Sequence, residues 1–421
     1  MPAATATAPQ AALTTDIKNR VLTSVIDQLA ARRTEIIEAN KKDLDAYPDP
    51  SDRAMYDRLI VDEKKVDGMI GAVRAVLAQA DPVGRIISEV ERPNGLRVVN
   101  RSVPFGTILI IYESRPDVTV EAAVLAFKAG SKILLKGGKE ARHSNRALVD
   151  CWQVALRQNG VASDRVRLLE YDRAATQEFL REPTEPLDLI VPRGGDRLIT
   201  FVREHARCAV LVSGRGNNFL YADSSCDWEA TKRIVVDAKT AKISACNALD
   251  KVLLDSNMPA IAERTRELVS LLEGEGVKVL LDATTASAIE RDSSLQEQHW
   301  DEEFLAMRCV VAGVASVDEA IELINAHSGG HSASILTENE AAASDFMLRV
   351  DCAAVYHNAS TRFTDGGEMG AGAELAISTD KLHHRGPLGL RQLVTNKYFV
   401  YGSGQTRSGD TSYAQPVMAT K

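Results

Sequence analysis

Six cysteines are spread through the 421 residues, and one stands in a string unlike the others. Cys246, in KTAKISACNALDK, follows a run of helical character. It sits in a turn of small and polar residues beside Asn247, with Lys239 and Lys242 close before it. Cations near a thiol favour the thiolate, the form that attacks carbonyl carbon, so this setting suits nucleophilic catalysis and a lowered thiol pKa. A single cysteine is also commonly a buried core residue, and at this point both readings stand. The other five (Cys151, Cys208, Cys226, Cys309 and Cys352) lie among apolar neighbours or at element ends, far apart and with no CxxC pair. That pattern fits reduced thiols in a cytosolic protein. His327 and His331 are four apart, a ligand spacing on a helix. The Ser-Gly-Gly between them reads as a loop and no Cys or carboxylate cluster completes a zinc site, so no metal is expected.

Alternating elements must position these groups. Residues 15–80 are expected to be mostly helical, with Val21, Val25 and Leu29 on one face. IISEVERPNGLRVVNRS sets Pro-Asn-Gly between two short alternating runs, which predicts a hairpin. Such a hairpin is either an oligomerisation arm or a plain surface feature. From Val103 onward short β-rich runs alternate with helical ones: GTILIIY, PDVTVEAAVLAFKAG with its early Pro and closing Gly, KILLK, a helix ending near Gly160, VRLLEY, a helix near 173–181, LDLIVP, DRLITFVREHA and AVLVSG. The alternation predicts a parallel sheet with helices on both faces. After the helix WEATKRIVVDAKT, strands at DKVLLD, VKVLL, RCVVAGV and ASILT predict a second α/β domain. YFVY, near the end, is expected to pair with the hairpin.

Composition bounds the function. With 45% hydrophobic and 26% charged residues the chain is ordinary globular protein of two or three domains. A net charge of −8 and a pI near 5.6 argue against a nucleic-acid surface. No apolar run approaches the roughly 20 residues that span a bilayer, and MPAATATAPQ reads as a disordered tail, not a secretory signal. A GxGxxG fingerprint after a strand and a P-loop are both absent, so a simple Rossmann or ATPase reading is weak.

Longer strings carry a family signal. VPFGTILIIYESRPDVT, ILLKGGKEARHSN, DLIVPRGGDRLI, CNALD, EEFLAMR, VYHNASTRFTDGGEMGAGAELAISTDK and HHRGPLGLRQLVTNKYFVYGSGQ together resemble the γ-glutamyl phosphate reductases (glutamate-5-semialdehyde dehydrogenases) of the aldehyde dehydrogenase superfamily. The resemblance runs over nearly the whole chain. It implies an α/β, aldehyde-dehydrogenase-like fold with two parallel-sheet domains and a small β oligomerisation arm. The cofactor-binding domain would comprise 1–84 and 103–235, the catalytic domain 236–384, and the arm 85–102 with 385–421. The implied reaction is NADPH-dependent reduction of L-glutamyl 5-phosphate to L-glutamate 5-semialdehyde and phosphate, in proline biosynthesis, by a cytoplasmic homo-oligomer. The chain contains no kinase domain, so the phosphorylating step would lie on a separate glutamate 5-kinase, with which a transient contact is conceivable.

The resemblance also implies roles. Cys246 matches the nucleophile that would form a γ-glutamyl thioester, with its own backbone N–H, the Ser114–Arg115 turn and Asn247 around the oxyanion. Lys136 and Lys139 resemble the cofactor-ribose motif, and Lys139 stands where NAD-users commonly have Glu, which favours NADPH. Gly194 and Gly195 in VPRGG open a helix whose N–H groups would face the pyrophosphate, or are plain loop glycines. Glu303 resembles the carboxylate that holds the nicotinamide ribose, with Glu302 as the alternative. Arg115, Ser360, Thr361, Arg362, His383 and Arg385 are the natural partners of the substrate's phosphate, carboxylate and ammonium. In LVSGRGNNFLYADSSCDW, Leu211 falls where oxidising relatives carry a water-activating Glu, which would leave the thioester protected. This stretch departs from many family members, which often carry His and Cys there. A CoA-linked acyl reductase or a non-catalytic binding protein on the same fold are the competing readings.

Overall fold

The computed structural model describes residues 13–48, 53–381 and 384–407. The runs flanking Pro93-Asn94-Gly95 form the hairpin: β1 (Ile86–Glu91) pairs antiparallel with β2 (Arg97–Pro104). Next comes a parallel sheet of β3 (Thr107–Tyr112), β4 (Lys132–Lys136), β5 (Val166–Leu168), β6 (Leu189–Arg193) and β7 (Ala209–Val210), in the order β5-β4-β3-β6-β7. Its central strands are apolar on both faces because helices cover both. Strand alternation divides the faces: Ile108, Ile110 and Tyr112 pack with Val25, Phe127 and Trp152, while Leu109 and Ile111 pack with Phe179 and Val202. The chain winds outward from β3 to β5, then returns to the other side of β3 with β6. The crevice at the carboxyl ends of β3 and β6 is therefore a topological switch point, where α/β sheets take ligands.

The second parallel sheet contains β8 (Asn218–Ala222), β9 (Leu249–Asp255), β10 (Lys278–Leu281), β11 (Arg308–Val314), β12 (Ser332–Leu336) and β13 (Ala354–His357), ordered β10-β11-β9-β8-β12-β13. Sequence reasoning placed 103–235 in the first domain, but β8 lies between β9 and β12, and helix Trp228–Thr240 packs in the second core. By sheet membership, the change from the first sheet to the second therefore comes between β7 and β8. Nothing local marks it, since NFLYA continues the same alternation and only its pairing partners reveal the sheet it joins.

A small antiparallel pair, β14 (Glu374–Ser378) and β15 (Gly386–Gly389), returns Leu375 and Leu388 to the first core. The last strand, β16 (Val394–Tyr401), pairs along β2, so YFVY joins the hairpin as expected. Among the described residues no helix is long and apolar enough to cross a membrane.

Candidate active site

Cys246 lies just before the amino end of β9 and beside that of β8, with Arg115 and Arg193 reaching it from the carboxyl ends of β3 and β6. This is the exposed cysteine; Cys151, Cys226, Cys309 and Cys352 are buried and Cys208 is half-buried. The nucleophile's turn is tied down on several sides. Asn218 Nδ2 donates to the Cys246 carbonyl at 2.7 Å, and Thr361 Oγ1 to the Asn247 carbonyl at 3.0 Å. Arg58 reaches the Ser244 carbonyl at 3.4 Å. The Cys246 amide makes no hydrogen bond among the described residues, which leaves it free for an oxyanion.

The electrostatics differ from the sequence expectation. Lys239 is buried against Asp250 at 2.8 Å, so its charge is spent inside the second domain. The cations that act on Cys246 are Arg193 and Arg115, from the ends of β6 and β3. Desolvation by surrounding protein, with Glu303 and Glu374, outweighs them and pushes the thiol up to about 11. The surroundings of the sulfur therefore favour the thiol over the thiolate in the free protein.

Asn247 is not a free donor. It is buried, its Nδ2 donates to the carbonyls of Arg362 (2.9 Å) and Thr364 (3.0 Å), and its Oδ1 accepts from Arg362. It fastens the cysteine turn to the segment Ser360–Arg362, whose Ser360 hydroxyl caps the short turn Thr361–Phe363. Ser114 adopts φ 42°, an unusual backbone for a non-glycine residue. Its amide and hydroxyl both donate to Glu140 Oε1, at 2.7 and 2.8 Å. The hydroxyl is thus already engaged, and Arg115, held by Asp117 at 3.2 Å, is the side chain of this turn that faces the sulfur's field. Arg385 donates to the carboxylate and carbonyl of Asp351 at 2.6 and 2.7 Å, a pairing that accounts for its charge. His383 lies outside the described residues.

Toward the switch-point crevice, Lys136 Nζ donates to the Gly137 carbonyl at 2.8 Å, and desolvation lowers its pKa. Lys139 opens the short turn Lys139–Ala141, is exposed, and carries no ion pair among the described residues. A side chain at Gly194 would stand 2.5 Å from Glu113 Oε2 and 2.8 Å from Leu198 Cδ2, two side-chain ends that would have to move aside. Gly195, at the amino end of helix Asp196–His205, opens onto free space. Glu302 is paired with Arg308, while Glu303 is the carboxylate whose charge reaches Cys246. Leu211 is buried in the first core and lines a cavity of about 370 Å³ beside the arm with Phe105, Asp380 and Val394. Its side chain faces this core and cavity, and its match to the water-activating position rests on sequence order. His327 Nδ1 contacts Asp301 at 3.1 Å, whereas His331 is buried against Asn218.

Sequence reasoning missed two residues. Arg193 ends the otherwise apolar run LIVPR, and a charge closing a buried strand was the available signal. Glu374 was the lone carboxylate beginning the strand ELAIS. Burial and Asp365 push it up to about 7, against the pull of Arg193.

The Glu374 position gives a pH-dependent prediction. Above pH 7 Glu374 is ionised and raises the Cys246 pKa; below it the carboxyl is neutral and the effect fades. Glu374→Gln is expected to speed iodoacetamide alkylation of Cys246 at pH 8.5 by about 2- to 10-fold, since thiolate fraction changes tenfold per unit of pKa. At pH 6 the two rates should converge. Arg193→Met should slow alkylation at both pH values. An unchanged pH 8.5 rate in both variants would remove these two groups from the sulfur's surroundings.

Comparison with known proteins bears on what this arrangement is for. Residues 262–373 match the aldehyde dehydrogenase family. The chain is 41% identical over 93% of its length to the γ-glutamyl phosphate reductase of Clostridium beijerinckii, covering 94% of that protein. It is 43% identical to the one from Neisseria meningitidis over 93% of this chain and 94% of that one. The crystal structure of γ-glutamyl phosphate reductase from Thermotoga maritima superposes with a TM-score of 0.89 at 41% identity, covering 94% of this chain and 95% of that one. An acetylating aldehyde dehydrogenase from Geobacillus thermoglucosidasius shares the fold, with a TM-score of 0.67 at 15% identity, over 94% and 93% of the two chains. With two α/β sheets meeting at one exposed cysteine, and relatives this similar along almost their full length, the chain belongs to the γ-glutamyl phosphate reductase family.

Proposed function

We propose that the chain reduces L-glutamyl 5-phosphate to L-glutamate 5-semialdehyde, with Cys246 as the acyl carrier and a nicotinamide dinucleotide, NADPH by preference, as reductant. The observation that carries this reading is the exposed Cys246, with a free amide and two arginines around it, at the junction of two sheets. The sulfur attacks the acyl carbon, the carbon–oxygen bond to phosphate breaks, and the thiol proton leaves with the phosphate. The Cys246 amide and Arg115 stabilise the oxyanion. Arg193 is placed to balance the phosphate's charge. Thr361 and Asn247 hold the cysteine turn to the Ser360–Arg362 segment, which thereby borders the substrate.

The residues at the first sheet's carboxyl ends fit a dinucleotide: open space at Gly195, a Lys139 with no ion pair among the described residues and the switch-point crevice all point the same way. Bound there, the dinucleotide supplies hydride for the thioester carbon. Lys136 and Lys139 would hold its adenosine ribose, the amides opening helix Asp196–His205 its pyrophosphate, and Glu303 its nicotinamide ribose. The first sheet then serves as the cofactor-binding domain and the second as the catalytic one.

The arm supports a homo-oligomer. Ile86, Val90, Tyr398 and Val400 are all more than 40% exposed on the sheet β1-β2-β16, an apolar surface that a second copy would cover.

The test is the reverse reaction: cyclised semialdehyde, phosphate and NADP, with NADPH formation followed. Phosphate-dependent NADPH formation is expected. Formation that depends instead on coenzyme A would give the activity to a CoA-linked acyl reductase.

A further inference from the structure

The stretch Arg215-Gly216-Asn217-Asn218 lies between the nucleophile's turn and the loop that carries Glu303, and it touches both. On one side, the two N–H groups of the Asn218 side chain are spread over the carbonyls of Gly216 (2.8 Å), Cys246 (2.7 Å) and Ala248 (2.7 Å). Its Oδ1 accepts from Ser332 Oγ at 2.5 Å and lies 3.0 Å from His331 Nδ1, so the amide's orientation is fixed from both ends. Gly216 presses directly on the same peptide: a Cβ there would stand 2.0 Å from the Cys246 carbonyl oxygen and 2.7 Å from its Cα.

On the other side, Asn217 Nδ2 donates to the carbonyls of Trp300 (2.6 Å) and His327 (2.8 Å). Arg215 Nη1 donates to the Asp301 carbonyl at 2.6 Å. Lys251, held by Asn217 Oδ1 at 2.5 Å, donates to the Glu302 carbonyl at 2.8 Å. Asp250 accepts from the Phe304 amide at 2.9 Å. The backbone on both sides of Glu303 is thus gripped from β8 and β9, and Asn217 and Asn218 are fully buried. A surface loop needs no such set of buried amides aimed at the carbonyls of two separate segments.

We propose that residues 215–218 are a positioning strut that fixes the spacing between the Cys246 sulfur and the carboxylate of Glu303. The strut touches no reacting atom. It acts by holding two loops to adjacent points of one strand end, so that the sulfur-bound carbon and the cofactor's ribose are registered. This rests on the functional reading for the role of Glu303. Misplacement of about 1 Å between reacting groups can cost on the order of 100-fold in rate, so the strut is expected to matter for turnover more than for folding.

The two asparagines should separate. In the reverse assay, Asn218→Ala is expected to lower kcat by about 10- to 100-fold with the KM for NADP within about twofold. Asn217→Ala is expected to raise the KM for NADP by about 5-fold or more, through the loosened Glu303 loop. Hydrogen exchange read without substrate should follow the same division. Asn218→Ala should speed exchange in the peptide over 242–248, and Asn217→Ala in the peptide over 300–306, each leaving the other peptide slow. Asn218→Ser, which keeps a hydroxyl donor, should restore part of kcat. Two results would overturn the strut: both variants loosening both peptides in step with a fall in Tm, or neither variant moving its own peptide. If the wild type formed no NADPH at all, the functional reading would fall, while the exchange data would still judge the strut.

Discussion

Cys246→Ala is expected to abolish reductase turnover, by about 10⁴-fold or more, while leaving dinucleotide binding nearly intact. The size follows from the role: a thioester route has no substitute for the sulfur, and no other exposed cysteine is available to take its place. The binding expectation follows from position. Cys246 lies at the amino end of β9, whereas Lys139 and Gly195 follow β4 and β6 on the opposite sheet. The structure also refines how the wild-type sulfur works. Desolvation, Glu303 and Glu374 push its thiol up to about 11, so alkylation of the free protein should rise steadily through pH 9 with no plateau near 7. Turnover by Cys246→Ala within about tenfold of wild type, about 1.4 kcal/mol in barrier, would show that another group carries the acyl chain.

The fold was largely legible because its signals are local and repeated. The parallel strands β3, β4, β6, β9 and β11 are apolar runs bounded by turns, and the hairpin announced itself through Pro93-Asn94-Gly95. What stayed hidden depends on three-dimensional partners. The strand β8 reads the same whichever sheet it joins, so the domain boundary could not be placed from its residues. Lys239 looked like an activator of Cys246 because it is seven residues away in sequence, yet Asp250 neutralises it. Arg193 and Arg115, far off in sequence, are the cations that matter. Asn247 looked like a donor beside the sulfur, but its amide is turned toward the Arg362 and Thr364 carbonyls. The GRGNN stretch stood out only as a departure from common family residues. Its hydrogen bonds to two distant loops have no local signature, since an asparagine that caps a turn and one that bridges loops are the same letter.

Lys139→Glu is expected to raise the KM for NADPH sharply and to affect NADH little or favourably. The argument begins with what surrounds the position. Lys139 is the exposed first residue of the turn after β4, at the carboxyl edge of the first sheet, with no ion pair among the described residues. The Oε1 of its neighbour Glu140 is taken by the amide and hydroxyl of Ser114 at 2.7 and 2.8 Å. The turn thus offers a free ammonium with the nearest carboxylate occupied, which suits a 2′-phosphate better than a 2′-hydroxyl. A charge-assisted contact of this kind is worth about 1.5–3 kcal/mol, or roughly 10- to 150-fold in affinity. Reversing the charge removes that contact and sets a carboxylate against the phosphate. A solvated lysine with no ligand would instead give equal effects on the two cofactors, well under about 1 kcal/mol. Specificity constants for NADPH and NADH, measured for wild type and variant at one ionic strength, decide between these outcomes. An unchanged ratio would take Lys139 out of the cofactor site and leave Lys136, half-buried and turned toward the Gly137 carbonyl, as the remaining lysine of this turn to test.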